Sequence, residues 1–239
     1  MSGTQVPVLV LLHGLAGDST VWDGLDPGSC WDGPCVAPDL PGHGRADPLR
    51  RYTFGALAAG IAGALEPGRP AVVLGHSLGG VVALALASGW FGVDVLAVGA
   101  LGVKVSWTPE ELAKAGALAA KPAKVFGSRE EARGWAGKLA GLPAGAVTER
   151  DGGWRAAVDP RAFGVGRPDV AGMIGAARCP VILAAGEDDP MSGIGQLRAL
   201  VPDPVALAGG HNVHVEAPEA VRPLVRRLAE VWNPARHRG

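Results

Sequence analysis

A serine hydroxyl is a weak nucleophile at neutral pH. It becomes useful when a base lies within hydrogen-bond reach and an acid orients that base. Ser77 stands in Gly75-His76-Ser77-Leu78-Gly79, a G-x-S-x-G spacing. Far downstream come Glu187, Asp188 and Asp189 in one segment, and His211 and His214 in another. The chain order is nucleophile, acid, histidine, and these types together point to acyl transfer through a covalent intermediate. His211 follows Gly209-Gly210, glycines that let a loop turn sharply inward. His214 precedes Val-Glu-Ala-Pro and reads as the start of a closing helix, so His211 is the favoured base. Spacing does not separate Asp188 from Asp189. Pro190 restricts Asp189 to extended backbone, which suits a residue leaving a strand.

Such a constellation needs elements that bring its members to one place. Residues 71–74 are an apolar run of strand length, and residues 78–87 continue as a helix rich in helix formers. Strand, sharp turn and helix form the context in which a G-x-S-x-G serine is exposed at a turn. Gly75 and Gly79 let that strand and helix approach closely. The helix N-terminus, with its unsatisfied N–H groups, suits an oxyanion. Residues 6–12 form a continuous apolar run ending in His13-Gly14, as expected of a strand covered on both faces. Further short strands are predicted at 35–38, 93–100, 180–185 and 204–207. Helices are predicted at 53–65, 192–200 and 218–231, and Asp18 can cap a short helix carrying Val21, Trp22 and Leu25. This alternation predicts a mainly parallel sheet with helices on both faces. In such sheets ligands bind beyond the carboxyl ends of the strands, which is where every candidate residue falls.

Residues 104–177 break the rhythm. Thr108 to Glu111 and Ser128 to Glu131 are capping boxes, and Asp159-Pro160 and Pro168-Asp169 look like two more helix starts. Only residues 154–158 suggest a strand. The expected organisation is a core of residues 1–103 and 178–239 with a helical cap or lid at 104–177. The cap reads as largely apolar, without a cluster of basic residues to grip a phosphorylated carrier.

With 48% hydrophobic residues and a net charge of −1, the chain is not of the disordered class and offers no electrostatic case for nucleic acid or an anionic membrane. The partner expected is a small-molecule substrate. Three cysteines, Cys30, Cys35 and Cys179, lack metal spacing and read as thiols in a reducing compartment. No stretch reaches membrane-spanning length, and the N-terminal apolar run lacks a basic region and a cleavage site. A soluble, cytoplasmic protein is expected. No metal or organic cofactor is called for.

Five segments together resemble the α/β-hydrolase fold superfamily, in its cap-bearing, serine esterase or lactonase-like branch. They are VLLHGLAGDSTVW (10–22), APDLPGHGRAD (37–47), LGHSLGG (74–80), VILAAGEDDP (181–190) and GGHNVHVEAPEAV (209–221). The resemblance implies Ser77 as nucleophile, His211 as base and Asp189 as acid, the last because it lies three residues after the glycine that ends its strand. It implies an oxyanion hole made by the backbone N–H groups of Leu15 and Leu78. It makes His13 a support of the oxyanion loop and His43 structural. His76 could pack or line the pocket, and Trp22 could be core or touch substrate. The family usually opens with an extra strand pair, whereas only residues 1–5 precede the His-Gly strand here. That implies a sheet of about six strands with this strand nearer one side. The implied activity is hydrolysis of a carboxylic ester or lactone of a small to medium, largely apolar substrate. Carbon–carbon bond hydrolysis of a β-diketone or dienol-type ketone, lyase or cyclase chemistry with the same triad, and non-catalytic ligand binding are the competing readings.

Overall fold

The side chains of the first strand alternate between two hydrophobic clusters. In β1 (Val8–Leu12), Val8, Val10 and Leu12 enter one cluster while Leu9 and Leu11 enter the other. All five are buried, so this strand is covered on both faces. The computed structural model describes residues 6–150 and 152–232. After β1 come a 3-10 turn at Ser19–Trp22, capped by Asp18, and a two-residue strand β2 (Cys35–Val36). Helix α1 (Phe54–Ala64) begins where the Thr53 side chain accepts the N–H of Ala56. Strand β3 (Ala71–His76) and helix α2 (Leu78–Leu86) follow, and then β4 (Val95–Leu101).

The chain then leaves the sheet. Helix α3 (Pro109–Ala119) starts at a full capping box, whereas at the start of α4 (Arg129–Ala140) Ser128 caps the Glu131 N–H and its hydroxyl, not its N–H, donates to the Glu131 carboxylate. An antiparallel hairpin follows, β5 (Val147–Arg150) with β6 (Gly153–Ala156), then a 3-10 turn at Pro160–Gly164 and helix α5 (Val170–Ala176). The second strand of the hairpin overlaps the strand suggested at 154–158, whereas the first was not expected. That first strand, Val-Thr-Glu-Arg, has no buried residue and carries no apolar alternation to announce it. The chain returns in β7 (Val181–Gly186), α6 (Ile194–Arg198) and β8 (Val205–Leu207). His214, read as the start of a closing helix, lies in a separate four-residue helix α7 (Val213–Glu216), which precedes a 3-10 turn and the closing helix α8 (Arg222–Trp232).

Six strands form one parallel sheet in the order β2-β1-β3-β4-β7-β8. This agrees with the six strands expected, and β1 lies next to the β2 edge. Helices α1 and α2 pack on one face with the first cluster, and α8 packs on the other with the second. The closest approach is between β3 and α2. A Cβ at Gly75 would collide with the Gly79 backbone, and one at Gly79 would collide with the carbonyl oxygens of Leu12 and His13. Both must be glycine for the turn between strand and helix to be this tight.

The excursion is fastened to the sheet by backbone and side-chain bonds. Gly44 N–H donates to Ala157 O at 2.7 Å, and Asp159 N–H donates to Gly42 O at 2.8 Å. The Tyr52 hydroxyl donates to Asp159 Oδ2 at 3.0 Å. The PGHG loop therefore serves as the mooring of the segment between β4 and β7.

Candidate active site

Ser77 occupies the turn between β3 and α2 with φ 50° and ψ −113°, a left-handed conformation rare for a residue with a side chain. Its N–H is held by the carbonyl of Leu101 at 2.8 Å. Such backbone strain persists only where the surrounding packing over-determines it, and it clusters at functional sites. Here the fully buried β3 and the glycine contacts with α2 impose it.

The acids are separated by burial rather than by spacing. Glu187 and Asp188 are exposed, whereas Asp189 turns inward and is buried. Its Oδ1 accepts the N–H groups of Met191 at 2.7 Å and Ser192 at 3.1 Å. Its Oδ2 lies 2.8 Å from His211 Nδ1. Burial alone would raise the Asp189 pKa. The bond from His211 and those from the two backbone N–H groups outweigh it and hold the carboxyl below its ordinary value. Since that carboxylate can only accept, His211 Nδ1 carries a proton and its Nε2 is left to act as an acceptor. The Ser192 hydroxyl donates to Val103 O at 2.9 Å, anchoring this loop to the end of β4.

His211, His76 and His214 form a stack. The His76 ring lies 4.7 Å from that of His211 and 4.1 Å from that of His214. His76 Nε2–H donates to the backbone carbonyl of His211 at 2.9 Å, so it holds the histidine loop from behind. Burial, then the neighbouring His214 and His211, drive the His76 pKa well below its ordinary value. His214 is buried likewise and its pKa is pushed down to about 3. A stack of three imidazoles is tolerable because these two stay neutral.

Sequence spacing placed Trp22 in two roles, and the structure assigns it to the core. It is 3% exposed, its ring sits 4.7 Å from His214, and it does not line the cavity that Ser77 opens onto. The 3-10 turn at Ser19–Trp22 delivers it to the second hydrophobic cluster instead. His13 is fully buried. Leu40 N–H donates to its Nε2 at 2.9 Å, which leaves Nδ1–H to donate to Gly14 O at 2.8 Å. Burial lowers its pKa to about 4, so it is a neutral brace between two loops. His43 is held the same way, with Nδ1–H on Pro41 O at 3.2 Å and a pKa lowered by burial to about 3.

A cavity of about 620 Å³ brings these groups together. Leu15, His76, Ser77, Leu78 and His211 all line it. Among the described residues, the N–H groups of Leu15 and Leu78 donate to no protein acceptor, and no hydrogen bond joins Ser77 to His211. Such bonds are often long before substrate binds. The opposite wall comes from the excursion, through Trp107, Leu112, Leu139 and Phe163. Two kinds of lining residue escaped the sequence reading. Asn212 donates from Nδ2 to Gly141 O at 2.9 Å and Ala140 O at 3.4 Å, tying the histidine loop to the end of α4. Lys104, Lys138 and Arg167 also reach the cavity, although no basic cluster is visible in the sequence of that segment. They lie too far apart along the chain to form a run.

Comparison with known proteins fits this architecture. The profile of the Alpha/beta hydrolase family matches residues 9–224, and the chain belongs to that family. A pimeloyl-[acyl-carrier protein] methyl ester esterase of Neisseria meningitidis serogroup B (strain H44/76) is 42% identical over 83 residues, 35% of this chain and 31% of that protein. The chain thus spans less than a third of that curated relative in the match. The structure of E-2-(acetamidomethylene)succinate hydrolase superposes with a TM-score of 0.73 at 22% identity, covering 95% of this chain and 92% of the other. A thermophilic esterase from Thermogutta terrifontis superposes with a TM-score of 0.70 at 22% identity, covering 96% and 91%. At this identity the two structures speak for the fold alone. Among the described residues, no helix is long and apolar enough to cross a membrane, and no group of His, Cys, Asp and Glu could hold a metal ion.

Proposed function

We propose that the protein is a serine hydrolase that cleaves a carboxylic ester or lactone. The observation that carries this reading is the strained Ser77 on one cavity wall with His211, itself bonded to the buried Asp189. In this reading His211 Nε2 takes the Ser77 proton as Oγ attacks the acyl carbonyl. Asp189 fixes the imidazole tautomer and stabilises the imidazolium that forms. The free N–H groups of Leu15 and Leu78 receive the negative oxygen of the tetrahedral intermediate. The imidazolium then returns the proton to the leaving alcohol, or to the ring oxygen of a lactone. Water attacks the acyl-enzyme with His211 again as base, which frees the acid and restores Ser77.

Residues 104–177 act as a cap in this reading. The support is their share of the cavity wall and the bond from Asn212 to the end of α4. The mostly apolar lining favours an acyl group of moderate size, and the partial match to a methyl ester esterase favours an ester over a ketone.

The test is kcat/KM of wild type and Ser77→Ala on p-nitrophenyl esters, a lactone series and a β-diketone. Wild type is expected to turn over an ester or lactone, and Ser77→Ala to lose at least about a thousandfold. Turnover confined to the diketone would replace the ester reading with carbon–carbon cleavage. Retained esterase activity in folded Ser77→Ala would remove Ser77 from the mechanism.

A further inference from the structure

The charged side chains on the cavity wall are all of one sign. Lys104, Lys138 and Arg167 line it, and neither an Asp nor a Glu does so among the described residues. The protein as a whole has 22 Lys and Arg against 23 Asp and Glu, so this bias does not follow from an excess of cations. Lys104 is already matched, since its Nζ pairs with Glu111 and lies 4.9 Å over the Trp107 ring. Lys138 and Arg167 make no ion pair or side-chain hydrogen bond among the described residues.

Each of the two has an ordinary structural role to set against a binding one. Lys138 lies in the last turn of α4, where a cation interacts favourably with the helix end. Arg167 has no such reason. It stands two residues ahead of Asp169, which caps the N-terminus of α5, where a cation gains nothing from the helix. Folding brings it from a separate loop to the cavity that Lys138 also lines, beside the apolar Leu139, Phe163 and Val165. Two unmatched cations at the edge of an apolar cavity suit an elongated ligand with a charged end and an apolar stem.

Resting on the Ser77 hydrolase reading, we propose that the preferred substrate is an ester bearing an anionic group remote from the scissile bond. Lys138 and Arg167 receive that group. The shared chemistry is a carboxylate or a phosphate at the end of an aliphatic chain. Arg167 offers a planar fork of donors that matches either, and Lys138 adds a point charge.

The experiment compares three esters of one chain length: methyl hexanoate, monomethyl adipate, and the methyl ester of 6-phosphonooxyhexanoic acid. The readout is the ratio of kcat/KM for each anionic ester to that for the neutral one. In wild type the ratio is expected to reach roughly tenfold or more for at least one anion, carried mainly by KM, and to fall as salt is raised. The better of the two tells carboxylate from phosphate. R167Q and K138Q are each expected to cut that ratio about fivefold. K114Q removes a charge from α3 that does not line the cavity and is expected to leave the ratio alone. A wild-type ratio of one or less, or a ratio that both cavity variants leave unchanged, overturns the proposal. If wild type cleaves none of the three, the p-nitrophenyl ester and lactone assays decide the hydrolase reading, which fails if they too show no turnover. Calorimetric titration with the adipate dianion then decides the anion site by itself: binding that R167Q abolishes supports it, and no binding by wild type overturns it.

Discussion

The two walls of the cavity are built on different principles. The wall carrying Ser77 is strand β3 and helix α2, where all six strand residues and eight of nine helix residues are buried and glycines bring the backbones together. The facing wall is the excursion between β4 and β7. Its helix α3 has no buried residue at all, and α4 buries only Ala132, Ala136 and Gly137. The first wall is specified by packing and the second by capping, with Thr108, Ser128, Asp159 and Asp169 each accepting a backbone N–H at a helix start. Precision of tenths of an ångström is thus concentrated where a bond would be made and broken. The surface that meets the rest of a ligand is held more lightly.

The difference can be broken most severely at Gly79. In Gly79→Ala the nearest atoms the new methyl meets are the backbone carbonyls of Leu12, the last residue of β1, and of His13 just after it. The expected cost is about 3 kcal/mol or more, at the upper end of overpacking penalties, and denaturant unfolding would read it. Gly116→Ala in α3 meets nothing within 4 Å and is expected to be neutral or to stabilise by up to about 1 kcal/mol. If both substitutions cost the same, the contrast between the walls is wrong.

Acid should next strike the buried histidines that surround the first wall. His13, His43 and His214 have folded pKa values of about 4, 3 and 3, all below their ordinary value of 6.5. The unfolded chain therefore binds protons that the folded chain does not as pH falls from 6.5 towards 4. The stability from neutral burial is complete above about pH 6.5 and is lost through that window. Asp189, also held low, acts in the same direction at the acid end. His76, driven down in the same way, adds to the other three histidines, and unfolding free energy is expected to fall by up to about 5 kcal/mol per pH unit where all four contribute. A melting temperature flat between pH 7 and 4.5 would show that these imidazoles are not buried neutral.

The smallest effect is expected at a cap on the second wall. Thr108→Ala removes the acceptor for Glu111 N–H and half of a capping box, at about 1 kcal/mol. Hydrogen exchange should rise in α3 and stay unchanged in β3. Faster exchange in both would mean that the two walls unfold as one unit.

How much of this could be read from sequence follows the same division. The elbow lies within residues 71–86, and its strand, turn and helix announce themselves locally, so Ser77 was legible. Asp189 needed more, because neighbouring carboxylates differ in which way they face, and only the fold shows Asp188 exposed and Asp189 buried. His76 was left between packing and pocket and serves both, lining the cavity while holding the His211 carbonyl. Trp22 lay close to the oxyanion loop along the chain but on the other side of a turn in space. The hairpin strand β5 was hidden because it pairs outside the main sheet and buries nothing. Asn212, Lys138 and Arg167 converge from three separate elements, and no local pattern encodes a meeting of that kind.

The sheet ends on each side in a very short strand, β2 with two residues and β8 with three. An open parallel sheet offers its unpaired amides to any extended peptide that comes alongside, and that is how many folded chains begin to aggregate. Here the row of free amides on either border is too brief to seat another strand in register. The four long strands between, all apolar and otherwise prone to stacking with copies of themselves, are sealed from neighbours by edges too small to recruit one.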